Sequence, residues 1–108
     1  MDKVRIVGVG ADGRPSLTSK AAEIVDGADL LVGGDRHLAM FAESPAEKVS
    51  LAGGLEAAVD RIKAALGSCR VVVLASGDPG FFGIARPLID ILGRDRVEII
   101  PNVSSLQL

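Results

Sequence analysis

The turn Ser76-Gly77-Asp78-Pro79-Gly80-Phe81 places one carboxylate among glycines directly after the apolar run Val71 to Ala75. Asp78 ahead of Pro79 suits a helix N-cap followed by a first helical residue, where a missing N–H costs nothing. Gly77 and Gly80 let the backbone approach a ligand closely. In open α/β sheets, ligands bind outside the carboxyl ends of the strands, so this turn is a candidate site. An ordinary capped turn is the competing reading, and the stretch alone does not separate the two. A second glycine cluster, Gly8-Val9-Gly10-Ala11-Asp12-Gly13, matches G-x-G-x-x-G, with Asp29 and Asp35 at about the distance expected of a ribose-binding acid. Its context is wrong for a dinucleotide. There the helix starts within the glycines, whereas here Arg14-Pro15-Ser16 intervenes and helical periodicity begins only near Ala21. The only histidine, His37, follows Asp35-Arg36 behind the pair Gly33-Gly34, close to another strand end. Any Ser/His/Asp relay would have to use it, and a solvent-exposed helix histidine is the plainer reading.

Other chemistries are poorly served. One His and one Cys leave no metal-ligand spacing, and no G-x-x-x-x-G-K-[ST] phosphate loop occurs. The single Cys69 excludes an internal disulfide framework, fits a reducing, cytoplasmic setting, and reads as a bystander at a strand entrance. A net charge of -2 with three Phe as the only aromatics offers neither the basic face nor the stacking platforms of a nucleic-acid binder. No apolar run approaches the roughly 18 residues of a membrane span.

The elements that must position these residues follow from periodicity. Val4 to Val9 reads as a strand running into glycines, and Ala21, Ile24, Val25 and Ala28 recur at helical spacing. Asp29 to Val32 is a short strand closed by Gly33-Gly34, Leu38 to Ala42 a short helix ended by Pro45, and Lys48 to Leu51 a weak strand. Leu55, Ala58, Val59, Ile62, Ala65 and Leu66 mark one face of a helix with Gly67 at its end. Val71 to Ala75, three of them β-branched, is a strand buried on both faces. Ile84, Leu88, Ile91 and Leu92 give another helical face, whose start Pro87 obscures, and Val97 to Ile100 is the last strand. Strand and helix thus alternate. With 108 residues, 48% hydrophobic content and mean hydropathy +0.38, the chain should form one doubly wound, mostly parallel α/β domain with helices on both faces. Ser104 to Leu108 reads as the opening turn of a helix left incomplete, as in part of a longer chain.

Taken together, Ile6 to Gly10 with Leu17-Thr18, Ser76-Gly77-Asp78-Pro79, and Pro101-Asn102-Val103-Ser104-Ser105 resemble the S-adenosylmethionine-dependent tetrapyrrole methylases. Gly33 to Leu38, Gly77 to Ala85 and Asn102 to Leu108 most resemble the members that methylate C5 of a corrin precursor on the way to cobalamin. Other tetrapyrrole methylases and the related diphthine synthases are the neighbouring alternatives, and a nicotinamide-binding module is the alternative of another class. The resemblance spans essentially the whole chain. It implies the N-terminal domain of a two-domain transferase, with the methyl donor in the cleft between the domains. By the family pattern, S-adenosylmethionine meets Gly10, Ala11, Ser76, Gly77, Asp78, Phe81, Ser104 and Ser105. The family's first loop usually reads Gly-Pro-Gly-Asp, whereas this one reads Gly10-Ala11-Asp12-Gly13. Some relatives place a proton-accepting acid near Asp35, and the closest often have arginine there. A tetrapyrrole with several carboxylates wants cationic partners, for which Arg14, Arg36 and Arg86, with His37, are the candidates. No metal is required, because the sulfonium is already activated. The implied partners are the tetrapyrrole substrate and a C-terminal domain of the same polypeptide. An exposed apolar face where that domain packs would favour a homo-oligomer of the isolated half.

Overall fold

In the computed structural model, which describes residues 3–9, 17, 19–76 and 82–100, strand and helix alternate as the periodicity predicts. The elements are β1 (Val4–Val9), α1 (Ser19–Asp26), β2 (Leu30–Gly33), α2 (Asp35–Met40), β3 (Glu47–Ser50), α3 (Leu55–Ala65), β4 (Val71–Ser76), α4 (Phe82–Leu92) and β5 (Val97–Ile100). The strands form one sheet in the order β3-β2-β4-β1-β5, and every neighbouring pair is parallel. Parallel neighbours require crossovers, and each crossover here carries a helix.

Side chains alternate between two cores with the period of two that a strand imposes. Val4, Ile6, Leu30, Val32, Val71, Val73 and Ala75 pack against Ala58, Val59, Ile62 and Ala65 of α3 and Leu88 of α4. Val7, Val9, Leu31, Val72 and Leu74 pack on the other face against Ala21 and Val25 of α1 and Leu38 of α2. The sheet is therefore covered on both sides. Central strand β4 has Val71 to Leu74 each no more than 1% exposed, which is why its sequence is apolar without alternation. The edge strand β3 carries Glu47 and Lys48 instead, and Glu47 pairs with Arg61 of α3.

Several boundaries differ from those the sequence suggests. Helix α2 begins at Asp35, not Leu38, because Leu38 is only its first buried residue and the acidic first turn precedes it. Strand β2 starts at Leu30 and runs through Gly33, and β3 covers Glu47–Ser50 rather than Lys48 to Leu51. Pro87 is the sixth residue of α4, well past the first turn where proline is easy. Ile91, expected on the buried face of that helix, is 45% exposed. It is the only exposed large hydrophobic among the described residues, so the apolar face expected for a second domain is not found among them. Gly67, just past α3, adopts φ +90, as the expected terminating glycine should.

Candidate functional site

All strands being parallel, their carboxyl ends lie along one edge, and β4 is the strand where the winding changes side. Helix α4 follows β4 onto one face, while α1 and α2, which follow its neighbours β1 and β2, lie on the other. In doubly wound sheets, ligands bind outside the carboxyl ends of the strands where such a change of face falls. Register places Val9 directly beside Ser76, so the segments beginning at Gly10 and Gly77 leave the sheet from neighbouring positions. Strand β5 flanks β1 on its other side, with Ile100 beside Val7. The ends of β4 and β5 are thus near-neighbours on one edge, as the sequence reading requires. Gly10, Ala11, Arg14, Gly77, Asp78, Phe81, Ser104 and Ser105 lie outside the described residues. Of the donor-binding set, only Ser76 is placed, as the last residue of β4.

The β2–α2 junction lies at the same edge. Gly33 ends β2 where the backbone runs tight against β4. A Cβ added there would stand 3.2 Å from Leu74 Cβ, 3.3 Å from the Leu74 carbonyl oxygen and 3.6 Å from His37 Cβ. Gly34 caps α2 without a side-chain bond, and a Cβ added at Gly34 would meet nothing within 4 Å. Gly33 is thus packed closely against Leu74, while the position of Gly34 is open.

Asp35, Arg36 and His37 all fall in the first turn of α2, but their surroundings differ. Asp35 and Arg36 are exposed, and His37 is half-buried. The Asp35 carboxylate accepts a 2.5 Å hydrogen bond from the Ser50 hydroxyl at the end of β3. Ser50 Oγ in turn accepts the Ala52 N–H at 3.0 Å, capping a 3-10 turn over Leu51–Gly53. This draws Asp35 toward the outer strand β3, which lies on the far side of β2 from β4. The sequence reading missed Ser50 because it extended β3 through Leu51; a serine followed by Leu51-Ala52-Gly53 is itself a capping signal. Burial and, second, the neighbouring Arg36 hold the His37 imidazole below its ordinary pKa, favouring the neutral ring. Arg86 is exposed in α4, on the helix that follows β4.

Asp29 has a different place. It precedes β2 at the opposite, amino edge of the sheet, where its carboxylate accepts the Arg70 N–H at 2.9 Å. Its backbone N–H donates to the Arg70 carbonyl at 2.8 Å, and its own carbonyl accepts the Glu47 N–H at 3.0 Å. It stitches three strands together and cannot reach a ligand at the carboxyl edge. Among the described residues, no group of three or more His, Cys, Asp or Glu could hold a metal ion, and no helix is long and apolar enough to cross a membrane.

The strand order also bears on the literal G-x-G-x-x-G. In a dinucleotide-binding fold β1 and β2 are neighbours and bracket the glycine turn. Here β4 lies between them, so that unit is not formed.

An open parallel sheet in the order β3-β2-β4-β1-β5, with helices on both faces, places the chain in the doubly wound α/β class. Comparison with known proteins narrows the class. Residues 3–108 match the family model described as Tetrapyrrole (Corrin/Porphyrin) Methylases, and the chain belongs to that family. It is 43% identical over 102 residues to the cobalt-precorrin-7 C(5)-methyltransferase of Salmonella typhimurium, covering 94% of this chain and 50% of that protein. The chain thus spans about half the length of such relatives. Among solved structures, a cobalt precorrin-4 methyltransferase superposes with a TM-score of 0.79 at 27% identity, covering 93% of this chain and 45% of that one. The uroporphyrin-III C-methyl transferase of Thermus thermophilus, complexed with S-adenyl homocysteine, gives 0.67 at 32% identity over 93% of this chain and 44% of its own.

Proposed function

We propose that this chain is the N-terminal, donor-binding half of a two-domain S-adenosylmethionine-dependent C-methyltransferase. Its acceptor is a corrin-pathway tetrapyrrole, methylated at C5 as the name of its Salmonella relative says of that enzyme. The observation that carries the reading is the pairing of Val9 with Ser76, which starts the two glycine-rich segments side by side at the edge where the winding changes face. The donor lies across Gly10, Ala11, Ser76, Gly77, Asp78, Phe81, Ser104 and Ser105. Arg14, Arg36, His37 and Arg86 face the polycarboxylate acceptor.

Methyl transfer from a sulfonium is an in-line displacement, so the protein's main task is alignment, which supplies on the order of 7–11 kcal/mol in well-oriented systems. The donor brings an activated methyl group. These residues bind it, orient it and, with the second domain, exclude water. One wall of the cleft is insufficient for that. The test is transfer of labelled methyl from S-adenosylmethionine to a C5-unmethylated corrin precursor, by the full-length protein and by these 108 residues alone. Full-length protein should turn over while the isolated half should not. Equal turnover by both would refute the half-site reading, and no turnover by the full-length protein would refute the activity.

A further inference from the structure

The amino edge of the sheet, opposite the proposed donor site, carries charge that the fold leaves unanswered. Arg5 of β1 stands in register between Val72 of β4 and Glu98 of β5, each the second residue of its strand. Val72 packs on the α1 side of the sheet, so this row faces α1. Lys20, Glu23, Ile24 and Gly27 run down the facing side of α1 at i, i+3, i+4 and i+7. Between helix and row is a cavity of about 530 Å³, which Lys3 and Arg70, just ahead of β1 and β4, also line.

Its charges do not cancel. Arg5 Nε donates to Glu98 Oε1 at 3.1 Å, and those two answer each other. Among the described residues, the Lys3 and Lys20 ammonium groups and the Arg70 guanidinium take part in no hydrogen bond or ion pair. One carboxylate, Glu23, stands against these three cations, in a chain whose net charge is -2. Gly27 makes room for Arg70, since a Cβ added there would stand 3.5 Å from Arg70 Nη1. The guanidinium therefore lies against the end of α1, along the groove that it lines. Beside the cations, buried Val72 and half-buried Ile24 supply an apolar wall, which strengthens their joint field.

We propose that this groove binds an oxyanion carrying two or more negative charges, a phosphate ester or a polycarboxylate. Arg70 supplies a planar fork that takes two oxygens at once, and Lys3 and Lys20 supply point charges. Gathering three cations costs repulsion that such an anion relieves, whereas a monovalent ion answers only one of them. The cavity is larger than inorganic phosphate needs and has the size of a small-molecule site. Binding here is separate from methyl transfer and does not rest on that reading.

Isothermal titration of the full-length protein with pyrophosphate and with citrate, at matched ionic strength, tests this and distinguishes a phosphate from a carboxylate source. At least one probe should bind saturably, with a Kd below about 1 mM, and sodium chloride should give no saturable heat. Arg70→Gln should weaken that binding about tenfold, because charge-assisted hydrogen bonds are lost, and Lys20→Gln about threefold. Lys63→Gln, exposed on α3 across the sheet, should leave it unchanged. Amide NMR shifts during the titration should centre on Lys20, Gly27 and Val72. No saturable binding of either probe overturns the proposal. So does wild-type affinity in Arg70→Gln or in Lys20→Gln, or an equal loss in Lys63→Gln.

Discussion

Asp35 and His37 sit two residues apart on one helical turn, yet one is exposed and bonded to Ser50 while the other is half-buried. That difference sets a pH dependence. With its folded pKa below the ordinary 6.5, His37 contributes stability that is complete above about pH 6.5 and declines as pH falls through the lowered value. Denaturant titrations across that window should show the decline in wild type and a flatter profile in His37→Gln; identical profiles would refute the burial argument. Gly33 makes the second prediction at this scale. A Cβ there stands 3.2 Å from Leu74 Cβ and 3.3 Å from the Leu74 carbonyl oxygen, tighter than ordinary contact, so Gly33→Val must shift the end of β2 against Leu74 of β4. Overpacking of this kind costs about 1–3 kcal/mol, which urea unfolding would read. His37 was legible in the sequence as the only histidine behind a glycine pair. Its neighbour's bond to Ser50 was not, since it spans 15 positions and depends on β2 pairing with β3.

Element by element, the sequence reported most faithfully where burial is continuous. Helix α3, with Ala58, Val59, Ile62 and Ala65 buried along one face, lies where the 3.6-residue pattern places it. Ile62→Ala, at a site 1% exposed, should destabilise the fold by about 2–5 kcal/mol, whereas exposed Lys63→Ala should change it by less than about 0.5 kcal/mol. Equal effects in unfolding experiments would mean that α3 does not anchor this core. Short helix α2 was harder to delimit, because its first turn is polar and the apolar signal starts only at Leu38. Helix α4 runs through Pro87, which cannot donate to the Gly83 carbonyl. Pro87→Ala should therefore raise stability, by about 1–3 kcal/mol, unless the ring's packing offsets the gain. A lower melting temperature would show that packing around Pro87 dominates.

At the scale of the whole molecule, alternating strands and helices announced a doubly wound sheet, but they did not announce the strand order. The order depends on which strands pair across long separations, and it bears on the proposed function. By inserting β4 between β1 and β2, it dismantles the dinucleotide unit that Gly8 to Gly13 spells literally, and it brings the ends of β1 and β4 together at one edge. The eight donor-contact positions were read from family resemblance, and Ser76 alone among them falls within the described residues. Under the proposed function this edge holds an S-adenosyl ligand and not a nicotinamide dinucleotide. Isothermal titration of the full-length protein with S-adenosylhomocysteine and, separately, with NAD tests it most directly. Saturable one-site heat from S-adenosylhomocysteine and none from NAD is the predicted result; heat from NAD with none from S-adenosylhomocysteine would contradict it.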